Sequence, residues 1–425
     1  MIANLKTLVK SNFLKHFFTL ITGNVIAQFI GLAAIPVLSR MYTPDEFGQV
    51  ALFMGIVSVI AIAANGRYDM AIVLPKRNGQ AFHLLVGGFA IAALFAALTY
   101  IFLLIIQEKV TSFFESSSFN SIVWFLPILI FLMGTHKSLQ FWFTRNQQYT
   151  AIAQNRVVQS STQTAVKLSR TLFSNGYWGL VVGTLVGEFL SWVHFFVRLI
   201  KTDLWRFRLV SCRSMLRSFK EYSNFPKFLL PMGVVNTFSV NILIFALSAI
   251  TTSTMVGFYE RAWRVVNIPL SMLSTSFGNV FYERMTKSPN PQRLYLMSYF
   301  ANLTIGIVVL LPIVLWGEEI FVFVLGNDWA VAGTVARIIA PLTLFNYATA
   351  CISNVFSVYQ KNQILLVWQI FYLAVVLSWI LLARTFDIFI LIRVFAYIGA
   401  ALYAALAAVG YGVVVSEMKR NLKMN

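Results

Sequence analysis

Nine basic side chains lie within or beside segments that are otherwise apolar enough to enter a bilayer: Arg67, Lys137, Arg156, Lys167, Arg170, Arg261, Arg264, Arg337 and Arg393. Three acids accompany them, Asp69, Glu188 and Glu260. A charge at the centre of a membrane helix costs roughly 2.5–3.5 kcal/mol on insertion scales, so such residues usually face a partner or a water-filled path. Three acids cannot neutralise nine cations in pairs. The excess points to a positive, water-filled cavity and hence to an anionic substrate. The acids are the candidates for carrying a coupling proton or sodium ion, with a salt-bridge role as the alternative for each.

Spacing groups several of these residues on single helix faces. Arg156, Gln159, Gln163, Lys167 and Arg170 fall at offsets 0, 3, 7, 11 and 14, one polar stripe along the fifth apolar segment. Glu260, Arg264, Asn267, Ser271, Ser274 and Gly278 fall at 0, 4, 7, 11, 14 and 18 along the eighth. Two such stripes facing each other would line a cavity. Each residue also has a plainer reading. Arg156, Lys167 and Arg170 lie toward segment ends and can snorkel to head groups. Lys137 can belong to a buried polar network, Arg67 can mark an interface, and Arg261 sits one position off its stripe. Arg337 and Arg393 have no supporting pattern. Asn24 and Gln28 are as well suited to bridging helices as to touching substrate.

Other chemistries have no motif. The chain contains no G-x-x-x-x-G-K-[ST] and no G-x-S-x-G sequence. His136 and His194 are isolated from one another and from the two cysteines, so no metal site, no cofactor and no enzymatic activity are expected.

The elements that position these residues follow from composition. Of 425 residues, 58% are hydrophobic and 11% charged, against about 25% charged in a soluble domain. The class is an all-α polytopic membrane protein. Segments 16–39, 47–66, 78–107, 116–136, 228–259, 265–282, 294–317, 338–360, 362–383 and 394–416 lack Asp, Glu, Lys and Arg. Segments 149–173 and 177–199 are spans interrupted by polar or charged residues, giving about twelve. The net charge of +18 would suggest nucleic acid in a soluble protein. Here it sorts by side: with twelve spans, 21 cations fall in one set of loops and Arg40, Lys109 and Arg384 in the other. The positive-inside rule then places both termini in the cytoplasm and excludes a nucleic-acid role. Asp45 and Glu46 sit where acids cap the second helix.

The longest loop, 201–227, is basic and divides the chain into lobes 1–200 and 228–425, six helices each, as in internally repeated transporters. Its expected contacts are membrane lipids, with a protein partner as the alternative. Asn24 lies 24 residues before Gly48, and Gly233 lies 24 before Gly257. Each pair frames a helix and a short turn.

Several stretches resemble one family. Gly23-Asn24 and Leu38-Ser39-Arg40-Met41-Tyr42-Thr43-Pro44-Asp45-Glu46-Phe47-Gly48 are similar to the opening of bacterial O-antigen and capsule flippases of the Wzx type. Arg67-Tyr68-Asp69-Met70-Ala71-Ile72-Val73-Leu74-Pro75 resembles the segment after their second helix. Tyr149 to Ala153 with Val158-Gln159-Ser160, and Gly257-Phe258-Tyr259 with Arg264 and Ile268-Pro269-Leu270, are similar to its fifth and eighth helices. The resemblance implies the multidrug/oligosaccharidyl-lipid/polysaccharide (MOP) fold, two six-helix bundles shared with drug/cation antiporters and lipid II flippases. It implies a bacterial inner-membrane protein that moves undecaprenyl-diphosphate-linked oligosaccharide from the cytoplasmic to the periplasmic leaflet by alternating access. It also implies polysaccharide polymerase and chain-length proteins as partners, and a cavity role for Arg264, five residues before a proline. The alternatives are a drug/cation antiporter, which should carry more acids than cations in its membrane segments, and a polysaccharide polymerase or ligase, which should have a large periplasmic loop.

Overall fold

The computed structural model describes residues 12–113, 121–169 and 176–424, with side chains over 22–106, 121–169 and 176–420. The described residues form helices joined by turns, with no strand among them. Twelve helices are long: α1 (Asn12–Met41), α2 (Pro44–Ala61), α3 (Asn78–Phe113), α4 (Leu126–Arg145), α5 (Tyr149–Leu168), α6 (Gly176–Phe207), α7 (Leu230–Ile250), α8 (Ser253–Met285), α9 (Pro291–Leu325), α10 (Ala330–Ile352), α11 (Asn362–Leu382) and α12 (Ile388–Met424). Each overlaps an expected span, and α8 also takes in the end of the span before it. Nine membrane-spanning candidates, by length and apolarity, occur among the described residues. The long helices that fall short of this are α4, α5 and α8, which carry polar side chains along part of their surface. With backbone hydrogen bonds satisfied within each helix, apolar side chains can face lipid.

Two boundaries differ from expectation. Within the described part of the charge-free stretch 116–136, a 3-10 turn at Val123–Phe125 precedes α4, which starts at Leu126, with Pro127 in its first turn, and runs to Arg145. Lys137 is therefore near its middle. The stretch 228–259 breaks at Thr251–Thr252, so Glu260, Arg261 and Arg264 lie inside α8. Absence of charge marks what can enter lipid but not where the backbone turns, as at Thr252, whose extended backbone starts α8 without a side-chain cap.

Contacts divide the chain into two compact units, Met1–Tyr42 with Gln49–Phe238, and Thr43–Gly48 with Ser239–Asn425. In the first unit α5 packs between α1 and α6, and α4 packs on α3 and α6. One core cluster joins Phe82, Trp142, Phe143 and Phe195. The basic segment belongs to this unit and is largely helical, through the end of α6 and a short helix at Cys212–Glu221. In the second unit α10 is central, packed on α8, α9 and α12. Its aromatic cluster includes Phe281, Tyr295 and Phe356.

The start of α2 lies in the second unit and is capped by a reciprocal pair. Thr43 N–H donates to Glu46 Oε2 at 2.8 Å, and Glu46 N–H donates to Thr43 Oγ1 at 3.3 Å. This is a capping box, with Pro44 at the first helical position. Asp45 does something else: it accepts a hydrogen bond from Ser253 Oγ at the start of α8. The two helix starts meet through glycine. A Cβ on Gly48 would lie 1.7 Å from the Ser253 carbonyl oxygen, and one on Gly257 would lie 1.8 Å from that of Pro44. The two glycines with matching sequence spacing thus face each other across one helix crossing. Small residues let membrane helices approach this closely.

Because the clashing atoms are backbone, a rotamer change cannot relieve them. Gly48→Val and Gly257→Val are each expected to cost more than the roughly 1–3 kcal/mol typical of overpacking and to lower the thermal unfolding midpoint in detergent. Gly412→Ala, where nothing lies within 4 Å of the added Cβ, should leave that midpoint unchanged or slightly higher.

Candidate functional site

The stripe on α5 faces a cavity. Within the first unit, α1, α4, α5 and α6 line an open cavity of about 460 Å³, in the size range of ligand pockets. Asn24 and Gln28 line it from α1, His136, Lys137 and Gln140 from α4, Arg156, Gln159 and Gln163 from α5, and Glu188 from α6. An Arg156 guanidinium N–H donates to Asn24 Oδ1. Asn24 therefore both bridges helices and lines the space. Among the described residues no carboxylate pairs with Arg156 and no hydrogen bond or ion pair holds the Lys137 ammonium, although Asp69 and Glu188 both attract it.

The cavity acid is held differently. Glu188 is 8% exposed. Its Oε1 accepts from Gln159 Nε2 at 2.5 Å, and its Oε2 lies 3.2 Å from His136 Nδ1. Behind His136 the network continues through Asn155, Ser191 and His194. Asn155 Nδ2 donates to the Ser191 carbonyl at 2.6 Å, which fixes the amide orientation because that oxygen only accepts. Asn155 Oδ1 accepts from Ser191 Oγ at 2.8 Å and faces His136 Nε2 at 2.9 Å. His136 Nε2 must therefore carry a hydrogen. The contact of Nδ1 with Glu188 needs a second one, either on the imidazolium or on the carboxyl group. In both forms the His136–Glu188 pair is neutral overall and holds a transferable proton. Arg156 then carries a positive charge that no carboxylate meets, while Lys137 is attracted by Asp69, behind the cavity wall, as well as by Glu188.

Arg67 and Asp69 sit in the break after α2. Gly66 and Arg67 both take left-handed backbone angles, at φ 60° and 61°, a costly conformation for arginine. Asn65 holds this turn against α4: its Nδ2 donates to the Gly134 carbonyl at 3.1 Å and to Ser138 Oγ at 3.3 Å, and its Oδ1 accepts from Arg67 N–H at 3.2 Å. Arg67 Nη2 reaches Met70 Sδ at 2.9 Å. Asp69 is 1% exposed, and its Oδ1 has no hydrogen-bond partner among the described residues. Neither residue lines the cavity.

The remaining candidates are elsewhere. Lys167 ends α5 with its stem against Gly183 of α6, and its carbonyl accepts from Tyr42 OH at 2.5 Å. Arg170 lies outside the described residues. Arg264 is in the second unit and pairs with Glu260 one turn earlier on α8, at 2.6 Å. Arg261 is 2% exposed, with its guanidinium 3.7 Å from the centre of the Phe47 ring and 5.4 Å from that of Trp329. It is a buried cation stacked on aromatics. Arg337 pairs with Glu318 at 3.4 Å. Of the basic candidates among the described residues, the structure brings Lys137 and Arg156 to one cavity, with Glu188 alone of the three acids.

Sequence reasoning passed over Asn155 and Ser191. The available signal was the run Glu188, Ser191 and His194 at offsets 0, 3 and 6, one polar edge on an otherwise apolar helix. Asn155→Ala would leave several buried groups unpaired, at a cost of about 1–3 kcal/mol. It should lower the thermal midpoint in detergent, while Gln154→Ala, at the exposed neighbouring position, should shift it by less than about 0.5 kcal/mol equivalent.

Comparison with known proteins places this arrangement in context. A search of curated protein sequences returned no significant match. Among solved structures, a multidrug resistance MATE family transporter of the MOP superfamily in an inward-facing conformation superimposes with a TM-score of 0.70 at 16% identity, over 92% of this chain and 96% of that one. The lipid II flippase MurJ in an inward closed conformation gives 0.68 at 12% identity, over 94% and 87%. A MOP superfamily transporter from Pyrococcus furiosus, described as having a binding pocket of reversed polarity, gives 0.64 at 15% identity, over 95% and 94%. These likenesses establish the MOP transporter fold. Residues 37–334, well over half of the chain, match the model of the family described as polysaccharide biosynthesis protein. This multi-pass membrane protein of MOP fold therefore belongs to the polysaccharide biosynthesis protein family.

Proposed function

We propose that the chain is a flippase that moves undecaprenyl-diphosphate-linked oligosaccharide repeat units, of the O-antigen or lipopolysaccharide kind, from the cytoplasmic to the periplasmic leaflet of a bacterial inner membrane by alternating access. The observation that carries this reading is the pair of cations, Lys137 and Arg156, lining one cavity whose acid is already engaged by histidine and glutamine. A diphosphate offers the complementary charge. In a site of reduced dielectric the attraction is stronger than in bulk water, and a guanidinium fork matches phosphate oxygens. The prenyl tail stays in lipid while the head group crosses. Both termini face the cytoplasm, as the 21-to-3 bias of loop cations argues. Lys167, Arg170, Arg67 and Arg264 belong to this proposal as further points along the head-group path. Arg261, enclosed by Phe47 and Trp329, does not. The polymerase and chain-length proteins of the same polysaccharide system are the proposed partners.

The drug/cation antiporter reading is weaker because an organic cation would meet two cations and a carboxylate that is not free. The MOP transporter from Pyrococcus furiosus is itself described as one in which reversed pocket polarity suggests a different function.

Energy coupling is proposed to run through the His136–Glu188 pair, which holds a transferable proton at the cavity wall. Asp69 and Glu260 are the other candidates. Sodium at Glu188 would need the His136 proton to leave first.

Two experiments test this. In the native host, deletion of the gene should abolish surface polysaccharide and accumulate lipid-linked repeat units. Arg156→Ala and Lys137→Ala, expressed at wild-type level, should each restore export poorly, since loss of one charge-assisted contact is worth about 1.5–3 kcal/mol, or roughly 10–100-fold. Full export from both variants would remove the cationic cavity from the mechanism. In proteoliposomes, Glu188→Gln should make transport indifferent to the proton gradient; unchanged dependence on the gradient would move coupling away from Glu188.

A further inference from the structure

The basic segment between α6 and α7 carries more than topology requires. The helix Cys212–Glu221 is strongly two-sided. Met215 and Phe219, one turn apart, face α3, where Gly87 leaves room: a Cβ there would lie 2.2 Å from Phe219 Cζ. The Phe219 ring packs on Tyr68 at 4.5 Å between centroids, and the Phe219 carbonyl accepts from Tyr68 OH at 3.2 Å. The helix is thus fastened to the turn that holds Arg67 and Asp69. Its outer face shows Arg213, Leu216, Arg217 and Lys220, all exposed.

The preceding stretch has the same character. Trp205 and Leu209 are 56% and 62% exposed, and Leu216 is 60%. The acid Asp203 is buried and engaged by Arg206 at 2.6 Å, so it does not offset the exposed charge of Lys201 and Arg208. The 32 residues of α6 span roughly 48 Å at 1.5 Å per residue, well beyond a hydrocarbon layer of about 30 Å. The last turns of α6 therefore stand at head-group depth, where tryptophan is enriched. Positive-inside topology needs cations only. Large apolar side chains interleaved with them need an apolar partner as well, and the boundary between head groups and acyl chains supplies both.

We propose that the outer face of Cys212–Glu221, together with the end of α6, docks onto anionic phospholipid head groups. Arg213, Arg217 and Lys220 meet the phosphates, and Leu216, Leu209 and Trp205 enter the acyl boundary. The inference does not depend on what the protein transports, and its test reads no transport.

Cys212 is exposed and Cys351 buried, so an environment-sensitive thiol label on the full-length protein reports from Cys212. In phosphatidylcholine nanodiscs with a rising fraction of phosphatidylglycerol, the label's emission should shift to the blue and become quenchable by brominated acyl chains. The combined variant Arg213→Gln, Arg217→Gln, Lys220→Gln should bind the anionic surface roughly 100-fold more weakly, given the expected attraction per basic residue, so that its label changes little over the same range of lipid. A label that stays in water at every lipid composition would overturn the proposal and leave this surface to a protein partner. An identical response from the triple variant would overturn the role of the cations.

Discussion

Hydrocarbon offers no hydrogen-bond partner, so every polar group carried into the membrane must find one inside the protein or keep contact with water. That constraint sorts the helices of this chain. Segments such as α3, α9 and α11 are apolar enough to cross a membrane. The polar load is concentrated on α4, α5 and α8, and on one edge of α6. Where these polar edges meet within the first unit, nearly all groups are satisfied in a closed network of Glu188, Gln159, His136, Asn155, Ser191 and His194. What remains is the charge of Arg156, which no acid meets, and that of Lys137, which Asp69 attracts from outside the cavity.

The same constraint explains why the site is held so firmly around its edge. The Arg67 backbone sits in a left-handed turn that only the Asn65 contacts with α4 make affordable. Asp69 is enclosed beside it. Such strain persists where the surrounding packing over-determines it. In the second unit the solution to a buried cation is different: Arg261 lies against the faces of Phe47 and Trp329, so its charge is met by aromatic quadrupoles while Glu260 engages Arg264. One helix thus carries two arginines with unlike environments three residues apart.

The fold by itself leaves the cargo open. A multidrug transporter and a lipid II flippase superimpose on this chain at similar levels, and one architecture serves many substrates. The polarity of the cavity distinguishes them physically. Family membership and the excess of cations in the sequence are the two separate supports for the proposed cargo, one from sequence likeness and one from charge.

Much of this was legible in the sequence because it is local. Apolar length marks a span, so each of the twelve expected spans overlaps a helix, and the 3.6-residue period put Arg156, Gln159 and Gln163 on one face before any neighbour was known. Ends were less legible: Pro127 in the first turn of α4 and the extended backbone at Thr252, not the last charged residue, mark where α4 and α8 start. Least legible were the partners. His136 and Glu188 are 52 residues apart, Arg156 and Asn24 are 132 apart, and Asp45 and Ser253 are 208 apart. No local pattern encodes which helix faces which. The sequence alone determined that charges had to be hidden from lipid and that cations outnumber acids. Only the packing of α1, α4, α5 and α6 decided that Lys137 and Arg156 share a cavity while Arg261 is sealed against aromatic rings, because pairing in a low-dielectric interior depends on distances between helices that the order of residues does not contain.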